Sequence, residues 1–232
     1  MHVHRRNFNA FVISAGMGVF APAQAMGLAD LSSGEASQGL KKALEKGAAT
    51  AIGMLGVENG FFNHQKLRIG FPESLNKGAD LLKKMGMRRQ VDELVLQMNR
   101  AAEKAIPLSE KWLTHAIQSM SVQDAKSILK GGDTSVTQFF ADKTRNPLTT
   151  EFTPQVKQVL GELGVVEQFN AIGGKLAGMG LMPKDKALLE NHVTGKALDG
   201  LYFMIGEEER KIRQNPMQAG SDLLAKVFGT LK

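Results

Sequence analysis

A chain of 232 residues with 43% hydrophobic and 22% charged residues has the composition of a globular protein, which excludes a largely disordered one. The net charge of +6 is mild, and acidic and basic residues interleave along the chain, as in Glu207-Glu208-Glu209-Arg210-Lys211, so we exclude a nucleic-acid binder. The absence of cysteine excludes disulfides, thiolate metal sites and a lipid-modified cysteine anchor.

The first 25 residues have the features of a cleavable export signal. Arg5 and Arg6 precede an uncharged apolar run from Ala10 to Ala21, and Ala23-Gln24-Ala25 is a small-x-small cleavage site. A membrane anchor is the alternative, but this run is shorter than the about 20 apolar residues that a spanning helix needs. We therefore expect cleavage near Ala25 and a single helical domain of residues 26–232, periplasmic or secreted, with no membrane span.

The export route stays open between two pathways. The segment His4-Arg5-Arg6-Asn7-Phe8 resembles a twin-arginine signal, although Asn9 and Ala10 stand where a Leu and a Lys are usual. General secretory signals also carry paired arginines, so the sequence favours neither pathway.

Helix ends are indicated by a recurring triplet of an apolar residue, Gly and another apolar residue, because Gly favours the left-handed conformation that terminates helices. The triplets centre on Gly56, Gly86, Gly164 and Gly180. Starts are indicated by capping-box patterns at Ser32-x-x-Glu35 and Ser121-x-x-Asp124, and by prolines near the beginnings of periodic runs. The prolines are Pro72, Pro107, Pro154 and Pro183.

Apolar residues recur every three or four positions in residues 88–106 and 193–213, which predicts two long amphipathic helices. Alternation is confined to residues 67–71, which are long enough for a minimal extended connector at most. The chain is therefore predicted to be all-α, a bundle of about nine helices, several of them short.

Three segments resemble a bacterial exported family catalogued as domain of unknown function 4197. They are Met98-Asn99-Arg100-Ala101-Ala102-Glu103, Ile128-Leu129-Lys130-Gly131-Gly132-Asp133, and Val193 to Leu201 running into Glu207-Glu208-Glu209 and Ile212-Arg213-Gln214-Asn215-Pro216. The likeness covers nearly all of the chain after the signal and implies a helical exported protein. It implies no catalytic residues. Some members of the family resemble lipoproteins, from which this cysteine-free chain departs.

Motifs for catalysis, nucleotide binding or a cofactor are not recognisable in the sequence. His64, His115 and His192 are far apart and have no neighbouring ligand at metal-binding spacing, so we predict no metal and no cofactor. Whether the protein is an enzyme stays uncertain, and the lack of a motif favours a protein that is not.

A candidate polar site is predicted around Glu208, which lies within the apolar stripe of the C-terminal helix. A carboxylate in that stripe needs an Arg, Lys or backbone donor as its partner, for which Arg100 is the first choice and Arg213 the second. Asn99 is a further donor beside Arg100, and Asp199 is a second acidic residue on the helix. A buried structural ion pair and a ligand or catalytic site both fit this pattern.

A second set of residues is apolar and suits a pocket for a lipid-like ligand, although core packing is the commoner use. The set comprises Met179, Met182, Met204, Phe139, Phe140, Phe152, Phe169 and Phe203. The favoured hypothesis is thus a non-enzymatic binding module for an envelope protein or an apolar envelope ligand. The alternative is a hydrolase-like enzyme that uses Glu208 and Asp199 with basic partners. The sequence leaves the oligomeric state open.

Overall fold

A computed structural model describes residues 33–178 and 188–215 of the protein. Of these residues 84% are helical and none lies in a strand, which confirms the all-α prediction. The helices are α1 (Ser33–Leu55), α2 (Glu73–Leu82), α3 (Arg88–Ala105), α4 (Ser109–Gln118), α5 (Val122–Lys130), α6 (Ser135–Glu162), α7 (Val165–Gly178) and α8 (Leu188–Gln214). The periodic runs predicted at residues 88–106 and 193–213 correspond to α3 and α8. The predicted signal lies outside the described residues.

The predicted number of about nine helices is wrong, because the described ranges form six helical stretches. A π-type turn (Lys83–Met87) with a kink at Gly86 joins α2 to α3, and a 3-10 turn (Ile106–Leu108) joins α3 to α4, so no loop separates these three helices. Pro154 was expected near a helix start but lies inside α6. Its side chain is exposed there, so water can bind the carbonyl group that the proline leaves without a helical partner.

Two of the predicted glycine stops have the expected backbone. Gly86 has φ of 86° and Gly164 has φ of 68°, both in the left-handed region. After α1, which ends at Leu55 as predicted, the left-handed residue is Asn59 (φ of 69°). The triplet around Gly180 lies outside the described residues. Left-handed residues thus mark corners of the bundle, although at Gly86 the helical stretch continues beyond the corner.

The capping box predicted before α5 is present. Ser121 Oγ accepts the Asp124 backbone N–H at 3.0 Å, and Asp124 Oδ2 accepts the Ser121 backbone N–H at 3.0 Å. The hydrogen bonds from Ser121 hold the pKa of Asp124 below its ordinary value. Ser32, where the other capping box was predicted, lies just outside the described residues.

The connector predicted at residues 67–71 is part of a longer segment, the α1–α2 loop, which we define as residues 56–72. Residues 68–72 have no helical or strand assignment. The loop enters the core at two points, because Phe61 is fully buried and Ile69 is 1% exposed. Backbone groups at these points need partners from elsewhere in the fold.

The core is one continuous cluster in which α8 is central. α8 packs most extensively against α6 and is flanked by α1 and α3, while α4 packs against α1 and α6. The core residues of α8 include Val193, Leu198 and Leu201, all fully buried. The N-terminal part of α8 contacts the α1–α2 loop, and the C-terminal part of α8 contacts the α5–α6 corner. Within the described ranges, no helix combines the length and the apolar character needed to cross a bilayer.

Candidate functional site: a clamped loop and an open groove

The α1–α2 loop is held on α3 by two buried polar side chains. Asn99 Oδ1 accepts the Ile69 backbone N–H at 2.8 Å, and Asn99 Nδ2 donates to the Ile69 carbonyl at 2.8 Å. One turn further along α3, Glu103 is 3% exposed, and its Oε1 accepts the backbone N–H groups of Phe61 at 3.0 Å and of Phe62 at 3.1 Å. These bonds satisfy loop backbone groups that have no strand partner.

Arg100 completes this clamp on the outer side. Its Nη1 donates to Glu103 Oε2 at 2.7 Å, and its Nη2 donates to Glu58 Oε1 at 3.0 Å and to Asn59 Oδ1 at 2.9 Å. Both oxygens of Glu103 therefore have donors. The two predicted site residues on α3, Asn99 and Arg100, both bind the α1–α2 loop, and their geometry is that of a structural clamp.

Helix α8 contacts the same loop from the other side. His192 Nε2 lies 2.9 Å from the Gly70 carbonyl, which fixes the tautomer that carries its proton on Nε2. Burial lowers the pKa of His192, and the neighbouring charge of Lys196 lowers it further. Further along α8, the Phe61 ring packs directly on Gly200. The loop is thus fixed between α3 and α8.

Asp199 lies on the surface of α8, apart from the clamp. Its Oδ1 accepts from Arg145 Nη2 at 2.9 Å, and the side chains are 55% and 42% exposed. The Arg145 guanidinium lies 4.9 Å from the centroid of the Tyr202 ring, whose hydroxyl is 2.9 Å from Thr144 Oγ1. Burial raises the pKa of Tyr202. An exposed carboxylate paired with an exposed arginine is an ordinary surface ion pair.

Glu208 is held by a lysine, which is one of the predicted kinds of donor, but the two arginines chosen as its partner are wrong. The Glu208 side chain is 14% exposed, largely removed from water as expected, and Lys211 Nζ binds it at 2.6 Å. Arg100 is instead bound to Glu103 and Glu58. Arg100 and Arg213 are therefore not the partners seen for Glu208, because each arginine lies beside a different glutamate.

The carboxylate that Arg213 binds is Glu209, whose side chain is 1% exposed. Glu209 Oε1 accepts from Arg213 Nε at 3.1 Å and from the Val136 backbone N–H at 3.0 Å, while its Oε2 accepts the Thr137 N–H at 3.1 Å. Arg213 Nη2 also donates to the Ile128 carbonyl at 3.0 Å. Glu209 therefore holds the first turn of α6, where unpaired N–H groups and the helix dipole favour a negative charge.

The five predicted polar residues thus occupy three separate places. Asn99 and Arg100 are on the loop clamp, Asp199 is on the surface of α8, and Glu208 and Arg213 are near the end of α8. Nine residues of α-helix separate Asp199 from Glu208, which is about 13 Å along the axis and about half a turn in rotation. The two carboxylates face opposite sides of α8, so the alternative hydrolase-like site lacks its paired acids. Among the described residues, no group of three or more His, Asp or Glu side chains is arranged to hold a metal.

The apolar residues predicted to line a ligand pocket mostly fill the core. Phe140 and Phe152 are fully buried and Met204 is 3% exposed, whereas Met179 and Met182 lie outside the described residues. A pocket between α1, α6 and α8 has a volume of about 20 Å³. That volume holds about one water molecule, far less than a lipid tail requires.

A larger feature is an open groove of about 850 Å³ along α4 and the facing part of α6. Its apolar lining comes from Pro107, Leu108 and Trp112, and its polar lining from Glu110, Lys111, Thr114, His115, Gln118 and Glu151. The Trp112 indole N–H donates to the Glu151 carboxylate, which fixes the ring across the two helices. At the far end, Lys41 Nζ of α1 donates to the Gln118 carbonyl at 3.0 Å.

This groove was not predicted from the sequence. The available signal was Trp112, the only tryptophan of the chain, on a short helix that follows Pro107. A partly exposed tryptophan is characteristic of interaction surfaces, since its ring has a large apolar area and one polar edge. Only the packing of α4 against α6 indicates that a groove forms beside it.

Comparison with known proteins places the chain in a family. The family model described as "Protein of unknown function (DUF4197)" matches residues 30–229, which include every described residue. No curated protein and no solved structure matches the chain.

Proposed function

The chain belongs to the DUF4197 family of proteins of unknown function, and on that premise we propose that it is an exported, non-enzymatic binding protein whose partner protein lies in the α4 groove. The groove is the observation that carries this proposal. Export is supported by the pattern of residues 1–25, and cleavage near Ala25 releases the domain into the periplasm or beyond.

The dimensions of the groove suit a short segment of a partner protein. α4 has 10 residues and so a length of about 15 Å, which matches about five residues of extended chain or ten residues of helix. An apolar floor within a polar rim is the usual arrangement of such a surface. Trp112 is the expected energetic centre, because tryptophan is enriched among the residues that dominate binding.

The internal pocket favours a protein partner over an apolar envelope ligand. A volume of about 20 Å³ does not admit an acyl chain, whereas the α4 groove is open to solvent along its length. The groove also has charged groups of both signs at its rim, Glu110 and Lys111 among them. These charges suit hydrogen bonds and ion pairs with a polypeptide.

The groove is tested by photocrosslinking in the cell envelope followed by binding measurements. A photoreactive residue at Lys111 should give a discrete adduct with one protein, and the same residue at Lys157, exposed on α6, should not. The identified protein is then titrated against the chain with Trp112 fluorescence as the signal. Trp112→Leu, followed by calorimetry, should weaken binding by about 2 kcal/mol, roughly thirtyfold.

Val122→Ala is the matched control, since Val122 is 48% exposed on α5 and lies outside the groove. Circular dichroism confirms that both variants keep their helices. An adduct that forms equally from Lys157, or an affinity that Trp112→Leu leaves unchanged, contradicts the proposal. Intact mass of periplasmic material should correspond to a chain that begins at Met26, and an uncleaved membrane-bound chain contradicts the export part.

A further inference from the structure

The corner between α2 and α3 projects an unusual combination of side chains, which we call the basic tip: Lys77, Leu81, Lys84, Met85, Arg88 and Arg89. The π-type turn Lys83–Met87 that forms this corner has no buried residue. Gly86 has φ of 86° and allows the chain to turn directly from α2 into α3. Residues on both sides of the turn are therefore exposed around one corner of the fold.

Positive charge at the basic tip is not neutralised by ion pairs. Lys77, Lys84, Arg88 and Arg89 are all exposed, and none forms an ion pair within the described part of the chain. Lys83, beside them, is the exception, because its Nζ binds Asp92 at 3.0 Å.

Acidic residues are few near the basic tip. Asp80, exposed on α2, and Asp92, bound to Lys83, are the nearest acids in sequence. Residues 81–91 contain none. The basic tip therefore has a local excess of positive charge that the mild net charge of the whole chain conceals.

Two large apolar side chains stand among these cations. Met85 is 57% exposed and Leu81 is 38% exposed, although large apolar side chains normally pack in the core. Leu81 lies four residues after Lys77 and four before Met85, so helical spacing places all three on one side of α2 and its continuation. Basic and apolar side chains on one exposed face are characteristic of elements that bind at a membrane surface.

We propose that the basic tip docks the protein on a bilayer that contains anionic phospholipids. The four free cations contact headgroup phosphates, and Met85 and Leu81 enter the boundary between headgroups and acyl chains. Each basic residue contributes about 1 kcal/mol at such a surface, roughly a fivefold increase in binding. The exposed apolar pair distinguishes a bilayer from a soluble polyanion, which offers no apolar phase for Met85 and Leu81. The basic tip and the α4 groove share no residue, so the two proposals stand independently.

Sedimentation with vesicles tests whether the positive charge of the basic tip contributes to membrane binding. The purified protein that begins at Met26, the proposed secreted form, should bind vesicles of phosphatidylglycerol and phosphatidylethanolamine, and should bind vesicles of phosphatidylcholine alone less strongly. Arg88→Glu with Arg89→Glu should weaken binding to the anionic vesicles by about tenfold or more. The matched control is Lys126→Glu with Lys130→Glu, which makes the same charge change at exposed positions of α5 and should leave binding nearly unchanged. This control also measures any binding contributed by other segments.

A fluorescent probe tests insertion of the apolar residues. Because the chain has no cysteine, Met85→Cys and Val122→Cys each allow one environment-sensitive dye to be attached. The dye at position 85 should shift to the blue when anionic vesicles are added, and the dye at position 122 should not. Far-ultraviolet circular dichroism of every variant confirms folding.

The proposal would be overturned if the protein that begins at Met26 failed to bind anionic vesicles, if the tip variant and its control lost binding equally, or if the dye at position 85 stayed in water. Binding of soluble polyphosphate as strong as that of vesicles, and insensitive to Met85→Ser, would also overturn it by identifying a simple anion site.

Discussion

Asn99 binds Ile69 as a neighbouring β-strand would, accepting its backbone N–H and donating to its carbonyl, each at 2.8 Å. A further bond from Asn99 Nδ2 to the Val95 carbonyl at 2.7 Å fixes the amide on α3. The side chain is fully buried, so water does not compete for these bonds. This side chain thus fixes the α1–α2 loop at Ile69, one of the two points where the loop enters the core.

Asn99→Ala should therefore lower the free energy of unfolding by about 3 kcal/mol, because it leaves two buried backbone groups of Ile69 without partners. Asn76→Ala is the control, since Asn76 is exposed on α2 and its loss should change stability by less than about 0.5 kcal/mol. Urea unfolding followed by circular dichroism measures both. Equal effects of the two substitutions would show that the loop does not depend on Asn99.

The fold was predictable from sequence where one helix face is apolar or where a capping box opens the helix. α3 satisfies the first condition, and α5 satisfies the second with its Ser121–Asp124 box. α6 was less predictable, because Pro154 was expected near a helix start although the helix continues through it, as it also does through Pro147. Tertiary packing on α8 sustains this long helix, and no local pattern reports such packing.

Prediction of the candidate site from the sequence was limited in the same way, because the choice between two neighbouring glutamates depends on tertiary packing. Glu208 lies three residues after Ile205, and Glu209 lies four after it, so both spacings fit the apolar stripe of α8. The choice between them is made by the first turn of α6, whose backbone N–H groups bind Glu209. The α4 groove and the basic tip likewise depend on which helices meet, which the sequence pattern does not specify.

Glu209 and Glu208 make a matched pair for measurement because they are neighbours on α8. Glu209→Ala should lower the free energy of unfolding by about 3 kcal/mol, since it leaves Arg213 partly buried beside unpaired N–H groups of α6. Glu208→Ala should cost less than about 1 kcal/mol, because its partner Lys211 is 63% exposed.

A double-mutant cycle adds Arg213→Ala to each glutamate variant. Strong coupling is expected with Glu209 and little with Glu208, as read from thermal or urea unfolding. If Glu208→Ala costs more than Glu209→Ala, the assignment of the buried carboxylate is wrong.

Glycines on α8 give a test of the loop packing. A Cβ at Gly200 would lie 2.5 Å from Phe61 Cε1, too close for any carbon contact, whereas a Cβ at Gly195 has no atom within 4 Å. Gly200→Ala should therefore destabilise the protein by about 2 kcal/mol despite the higher helix propensity of alanine. Gly195→Ala should stabilise it by up to about 1 kcal/mol. Opposite signs in thermal unfolding are expected, and stabilisation by both would place Phe61 elsewhere.

His192 should make stability depend on pH. Burial lowers its pKa in the folded protein, whereas in the unfolded chain it titrates near its ordinary value of about 6.5. Above that pH both states are neutral at this residue and the contribution is absent. As the pH falls below it, the unfolded chain binds a proton that the folded protein does not, so the free energy of unfolding decreases by at most about 1.4 kcal/mol per pH unit.

The loss on acidification should be smaller in His192→Gln, whose amide can still donate to the Gly70 carbonyl but does not titrate. Urea unfolding of this variant and of the unaltered protein, between about pH 7.5 and 5.5, measures the difference. The two curves should converge at the neutral end and separate on the acid side, with the variant the more stable relative to its neutral value. Parallel curves across the whole range would contradict the prediction, because they would show that folding does not lower the pKa of His192.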